Sequence, residues 1–273
     1  LNTVLNYCFI FGKFGAPRLG IAGAAYASVI SQAAGALISI LCFCRLYGRI
    51  RISLSLGKAG YSQYFLMLLP IVLNEFFWSV GQSVYTYVYG HMGTNELAGM
   101  SLTGAVQGLT MGALSGLSQS AGILIGKRLG SREYDAAYED SKKLCGLGMA
   151  GSLVFTLLLI LIRNPYVQLF NVSGDVRGIG ADIMAAFAIL MPVKVQNMIL
   201  GGGIIRSGGK TKYVMMIDMM GTWLIGVPLA LLTGLYFKIP VIWVYFVLSQ
   251  EELVRLIISV FMFRSRKWMH TLQ

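Results

Sequence analysis

Apolar residues in this chain come in long uninterrupted runs, not in strand-type alternation. No charged residue falls within residues 97–125 or 147–162. A bilayer core needs about 20 such residues per helix, so the runs predict membrane-spanning helices. A first, short run ends near Gly12. A Gly/Pro turn at 15–18 then leads into a helix over about 20–44. Its small residues Gly23, Ala27 and Ser31 suit close helix packing. The segment 45–60 is polar, carries Arg45, Arg49, Arg51 and Lys58 without an acid, and reads as an inter-domain linker. Six further spans are predicted at about 61–90, 96–126, 143–163, 176–206, 212–236 and 240–263, joined by short connections with turn or charge signals. The fold class is an all-α transmembrane helical bundle.

Composition supports this reading. Of 273 residues, 56% are apolar and 12% charged, about half the charged share of a soluble domain. The net charge of +11 could suggest nucleic acid. The basic residues, however, cluster in alternate connections. Fifteen Lys and Arg fall in 45–58, 127–143, 206–212 and 264–267, against five in 13–18, 163–177 and at 238. That asymmetry predicts a cytoplasmic linker and C-terminus in an inner membrane, with an even number of spans between them. The four cysteines lack zinc-ligand spacing and read as small hydrophobes. The chain starts at Leu1 on a shortened run with no signal-peptide pattern, which predicts that it continues a longer protein.

Polar residues inside the spans carry the candidate chemistry. In Leu69-Pro70…Asn74-Glu75…Trp78, a carboxylate lies deep in an apolar helix, which is expensive and usually functional. Glu75, Ser79, Gln82, Ser83 and Thr86 fall on one helical stripe, predicted to face a cavity or the bundle interior. Glu75 could exchange a proton, hold Na+ with oxygens of Asn74 or Gln82, or be locked structurally in an interhelical hydrogen bond. Farther along, Pro192 should free a backbone carbonyl, and Lys194 and Asn197 share a face one turn beyond it. Lys194 needs an acidic partner or water, and Glu75 is an obvious candidate, although snorkelling or a local pairing without a role in transport is open. Glu251, Glu252 and Arg255 read as a self-satisfied ion pair. Asp218 is ambiguous. Gly104, Gly108, Gly112 and Gly116 read as a packing face. Ser207-Gly-Gly-Lys210-Thr211 mimics the end of a phosphate loop, but Ile204 stands where its first glycine belongs, so it reads as a turn.

An ordered set of segments resembles the multidrug and toxic compound extrusion (MATE) family. Leu1-Asn-Thr-Val-Leu-Asn6, Ile10-Phe-Gly12 and Gly20-Ile-Ala-Gly23-Ala-Ala-Tyr-Ala27 are similar to the end of that family's first lobe. Leu69-Pro70…Asn74-Glu75…Trp78, Tyr89-Gly90-x-Met92-Gly93-Thr94, Gly126-Lys127-x-Leu129-Gly130 and Gly203-x-x-Arg206-Ser-Gly-Gly209-x-Thr211-Lys212 are similar to its second. The likeness follows the branch common in Gram-positive bacteria. It implies a twelve-span transporter of two six-helix lobes that rock between inward-open and outward-open states. In those terms 1–44 is the end of the first lobe, about one and a half helices, 45–60 the inter-lobe linker and 61–273 the second lobe. Two departures stand out: Trp78 occupies the slot where many members carry the second-lobe glutamate, and Lys194 falls where some sodium-coupled members carry an aspartate.

The expectation is therefore a secondary active efflux transporter, not an enzyme. It would exchange cationic or amphipathic drugs for H+ or Na+, with Glu75, Asn74, Gln82, Lys194, Asn197 and Trp78 in its coupling and substrate cavity. No cofactor is expected beyond the coupling ion, and no metal site beyond a possible Na+ at Glu75. Its partners are small molecules, the bilayer and the missing N-terminal lobe; no nucleic acid is expected. The alternatives are a lipid-linked oligosaccharide flippase of the same superfamily, which would need a more cationic cavity, and an inactive fragment. A membrane enzyme would need catalytic groups within the spans, yet His91 and His270 lie in a connection and the tail.

Overall fold

A computed structural model describes residues 1–48 and 58–269, and among them every regular element is helical. The chain divides into two units, Leu1–Ala59 and Gly60–Gln273.

In the first unit α1 (Asn2–Phe11) ends at Gly12, whose φ of 68° suits a residue without Cβ. It packs on α2 (Ile21–Tyr47). A Cβ on Gly23 would lie 2.6 Å from the Phe9 carbonyl oxygen, and Ala27 is fully buried. The small residues of α2 thus admit the α1 backbone. Both ends of the expected 45–60 linker are helical, since α2 runs through Tyr47 and α3 begins at Lys58. Residues 49–57, with Arg49 and Arg51, lie outside the described residues, as does His270.

The second unit holds α3 (Lys58–Met92), α4 (Thr94–Gly130), α5 (Tyr134–Gln168) and α6 (Gly174–Asn197), which continues as a wider π-helical turn over Met198–Ile205. Next comes a helical run made of α7 (Thr211–Met219), a π-turn (Met220–Gly226), α8 (Val227–Leu231) and a second π-turn (Leu232–Tyr236). α9 (Val241–Leu248) and α10 (Gln250–Arg264) break at Ser249. Among the described residues, five helical runs are long and apolar enough to cross a membrane: Ile21–Leu46, Tyr64–Met92, Tyr134–Gln168, Gly174–Ile205 and Thr211–Tyr236. The expected span at 96–126 is a 37-residue helix diluted by Gly, Ser, Thr and Gln. The expected span at 240–263 is two helices, not one.

Gly174–Ile205 is the central element, 61% buried over its most apolar stretch against 17% for Tyr134–Gln168. It packs on α4, α5, α9 and α10. Pro192 has no N–H to give the Ala188 carbonyl, and Thr156 Oγ1 of α5 donates to that oxygen at 2.8 Å instead. The freed carbonyl expected from the sequence is therefore satisfied by the neighbouring helix.

The glycine ladder needs correction. A Cβ added at Gly104, Gly108, Gly112 or Gly116 would meet nothing within 4 Å, so these glycines border open space. Close approach in α4 happens elsewhere: a Cβ on Gly203 would lie 2.6 Å from the Ser118 carbonyl oxygen, and Ser118 Oγ donates to Met198 O at 2.6 Å.

Candidate functional site

A cavity of about 640 Å3 opens among α3, α4, α6 and its π-turn, α7 and α10. Glu75, Asn74, Trp78, Gln82, Lys194 and Asn197 all line it. Their environments differ sharply. The face of α3 that carries Asn74, Gly81, Tyr85 and Val88 is buried, whereas Glu75, Ser79, Gln82, Ser83 and Thr86 are exposed. The polar stripe read from the sequence thus lies on the open side of the helix, and of its members Glu75 and Gln82 border the cavity. Half-exposed Trp78 borders it too, while its neighbour Phe77 accepts the Trp223 indole N–H at 3.3 Å.

Lys194 does not pair with Glu75, contrary to expectation. Its Nζ donates to Glu252 Oε1 at 3.2 Å. Asn197, one turn along, donates through Nδ2 to Glu252 Oε2 at 2.8 Å and to the Glu252 carbonyl at 2.7 Å. The spacing from Lys194 to Asn197 lets both reach one carboxylate of α10. Glu75 instead lies 4.0 Å from Arg206 Nη2, at the limit of an ion pair, with 62% of its side chain exposed. It is the least committed carboxylate around the cavity.

The ion pair expected within α10 exists but is not self-contained. Arg255, 8% exposed, lies 3.3 Å from Glu251, 3.9 Å from Glu252 and 3.9 Å from Asp218 of α7, and it also donates to Thr222 of the π-turn. Glu251 accepts the Tyr85 hydroxyl at 2.8 Å, and Asp218 accepts Asn74 Nδ2 at 2.9 Å. Arg255 therefore joins α3, α6, the α7 run and α10 through three carboxylates. Glycine makes the room. A Cβ on Gly221 would strike Arg255, and one on Gly226 would strike both the Tyr85 hydroxyl and the Glu251 carboxylate.

Sequence reasoning missed Arg206, Asp218 and Arg255 as cavity residues, and Tyr85 as the partner of Glu251. One signal was available. The first two turns of α10 carry two acids, Glu251 and Glu252, for one base, Arg255, and an unbalanced carboxylate in a membrane helix must find a cation on another element.

These features define an all-helical, multi-pass membrane protein with a charged cavity inside one helical lobe. The chain belongs to the MatE family, whose model matches residues 70–232. It is 30% identical over 279 residues to the uncharacterized transporter YisQ of Bacillus subtilis strain 168, covering 98% of this chain and 59% of that protein. It is 23% identical over 273 residues to a probable multidrug resistance protein NorM of Thermotoga maritima, covering 98% and 58%. Its fold matches the bent form of the Vibrio cholerae MATE transporter VcmN with a TM-score of 0.76 at 18% identity, covering 99% of this chain and 61% of that one. The chain thus spans somewhat under three-fifths of the length of these curated relatives.

Proposed function

We propose that the chain is the second lobe, with the end of the first, of a secondary active transporter that exports cationic or amphipathic small molecules in exchange for H+ or Na+. The observation that carries the reading is the 640 Å3 cavity, which falls in the range of about 300–1,000 Å3 typical of drug-sized sites. Membrane helices line it with paired charges and leave one loosely held carboxylate, Glu75. Lipid cannot satisfy such groups, so their place is a water-accessible pathway. Family membership and the relatives named for multidrug resistance support export. In this reading the protein resides in the inner membrane, with the linker and C-terminus cytoplasmic.

The flippase alternative needs surplus positive charge to hold a pyrophosphate. The cavity carries more basic residues than Lys194 alone, because Arg206 and Arg255 also line it. Glu75, Asp218 and Glu252 offset them one for one, so no surplus remains. The test is expression of the chain alone and of the protein completed with a first lobe in a drug-sensitive host. The completed protein should raise ethidium resistance and the chain alone should not. Resistance from the chain alone, or none from the completed protein, contradicts the reading.

A further inference from the structure

A second, smaller cavity of about 260 Å3 lies toward the C-terminal end of α3 and the N-terminal end of α4. It is bordered by the buried rings of Tyr85, Tyr89 and Tyr245, by Ser249 at the break between α9 and α10, and by Glu251. Gln82, Gln107, Lys194 and Glu252 border both cavities. The Lys194–Glu252 pair therefore stands in the wall between them.

Three features of the smaller cavity point to one kind of occupant. Its charged lining is two carboxylates against one ammonium, Glu251 and Glu252 against Lys194, while Arg255 stands behind the lining, 3.3 Å from Glu251. Tyrosine faces attract a cation through the ring quadrupole, most strongly where water is excluded. Ser249 borders the cavity and is 1% exposed, and its buried Oγ has no hydrogen-bond partner. The volume is below the roughly 300–1,000 Å3 of drug-sized sites, so the space suits a head group and not a whole amphipathic molecule.

Lys194 supplies the template. Its own primary ammonium already sits at this wall, held to Glu252 by a single bond of 3.2 Å. A free ammonium with three N–H donors can make that bond and also give one N–H to Ser249. We propose that the smaller cavity binds the primary ammonium group of a small alkylamine, and that Lys194 is the tethered cation with which it competes for Glu252. If Lys194 withdraws, Glu252 keeps Asn197 at 2.8 Å and Arg255 at 3.9 Å, so the exchange leaves no carboxylate unpaired. The proposal rests on the export reading only in supposing that cations reach this lobe. Binding needs no ion gradient and no first lobe, so its failure is distinguishable from failure of the transport assay.

The experiment is calorimetric titration of the purified chain in nanodiscs with n-butylammonium chloride, its neutral counterpart 1-butanol, and sodium chloride. Butylammonium should saturate one site, with butanol about tenfold weaker or worse. Lys194→Met should tighten butylammonium binding by removing the competitor. Ser249→Ala should weaken it by about three- to tenfold, the effect of one lost hydrogen bond. Equal affinity for butanol overturns the proposal, because the site is then merely apolar. Displacement of butylammonium by sodium at equal concentration assigns the space to an inorganic cation and overturns it as well. So does a Lys194→Met chain of wild-type helical content that binds no tighter. If Lys194→Met fails to fold, Ser249→Ala decides alone, and unchanged affinity there overturns the proposal.

Discussion

Replacing Arg255 with Met keeps most of the side-chain volume and removes the charge that three carboxylates share. The consequences follow from what each acid retains. Glu252 keeps Lys194 and Asn197, and Asp218 keeps Asn74. Glu251 keeps only the neutral Tyr85 hydroxyl and becomes the weak point of the network. Breaking a buried ion pair from one side costs about 3–5 kcal/mol. The lower half of that range is expected here, because two of the three acids stay partnered. Adding Glu251→Gln removes the stranded charge and should restore part of the loss, with a coupling of about 0.5–3 kcal/mol between the two sites. The assay is reversible guanidinium unfolding in mixed micelles, followed by circular dichroism for wild type, both single variants and the double. A loss below about 1 kcal/mol, the value of an exposed pair, would refute the clamp, as would strict additivity in the cycle.

Gly226→Ala should destabilise the fold by about 1–3 kcal/mol, since its Cβ forces Tyr85 and Glu251 apart; the same unfolding assay reads it, and Tyr85→Phe in that background should cost less than in wild type. On a cysteine-free background, a cysteine at Asn171 should react with an impermeant thiol reagent in intact cells, whereas one at Ser131 should react only after lysis. The reverse pattern contradicts the orientation drawn from the basic connections.

Much of the scaffold was legible because membrane insertion imposes a simple rule: each span announces itself as a long apolar run. The break at Ser249 was not legible, because no Gly or Pro marks it and the residues beyond, Gln250-Glu251-Glu252, are good helix formers. The four-residue glycine ladder misled because spacing shows which residues share a helix face but not whether a neighbouring helix lies against it, and within this chain the ladder borders open space. The glycines that do admit close neighbours, such as Gly203, Gly221 and Gly226, have no regular spacing, because their partners lie on other helices. Five of the six candidate residues were legible as polar intruders in apolar spans, Trp78 being the exception, and all six line one cavity. Their pairing was not legible. Lys194 and Glu252 are 58 residues apart, and nothing local distinguishes Glu252 from Glu75 as the partner.

Glu75 borders the cavity and is only loosely held by Arg206, and we propose it as the coupling carboxylate of this lobe. The most direct test is ion-driven ethidium efflux from energised vesicles carrying the completed protein, wild type against Glu75→Gln and Glu75→Asp, alongside ethidium binding in detergent. Glu75→Gln should abolish gradient-driven efflux while ethidium still binds, and Glu75→Asp should retain part of the rate. Efflux by Glu75→Gln at the wild-type rate, with the same dependence on the ion gradient, would contradict the account.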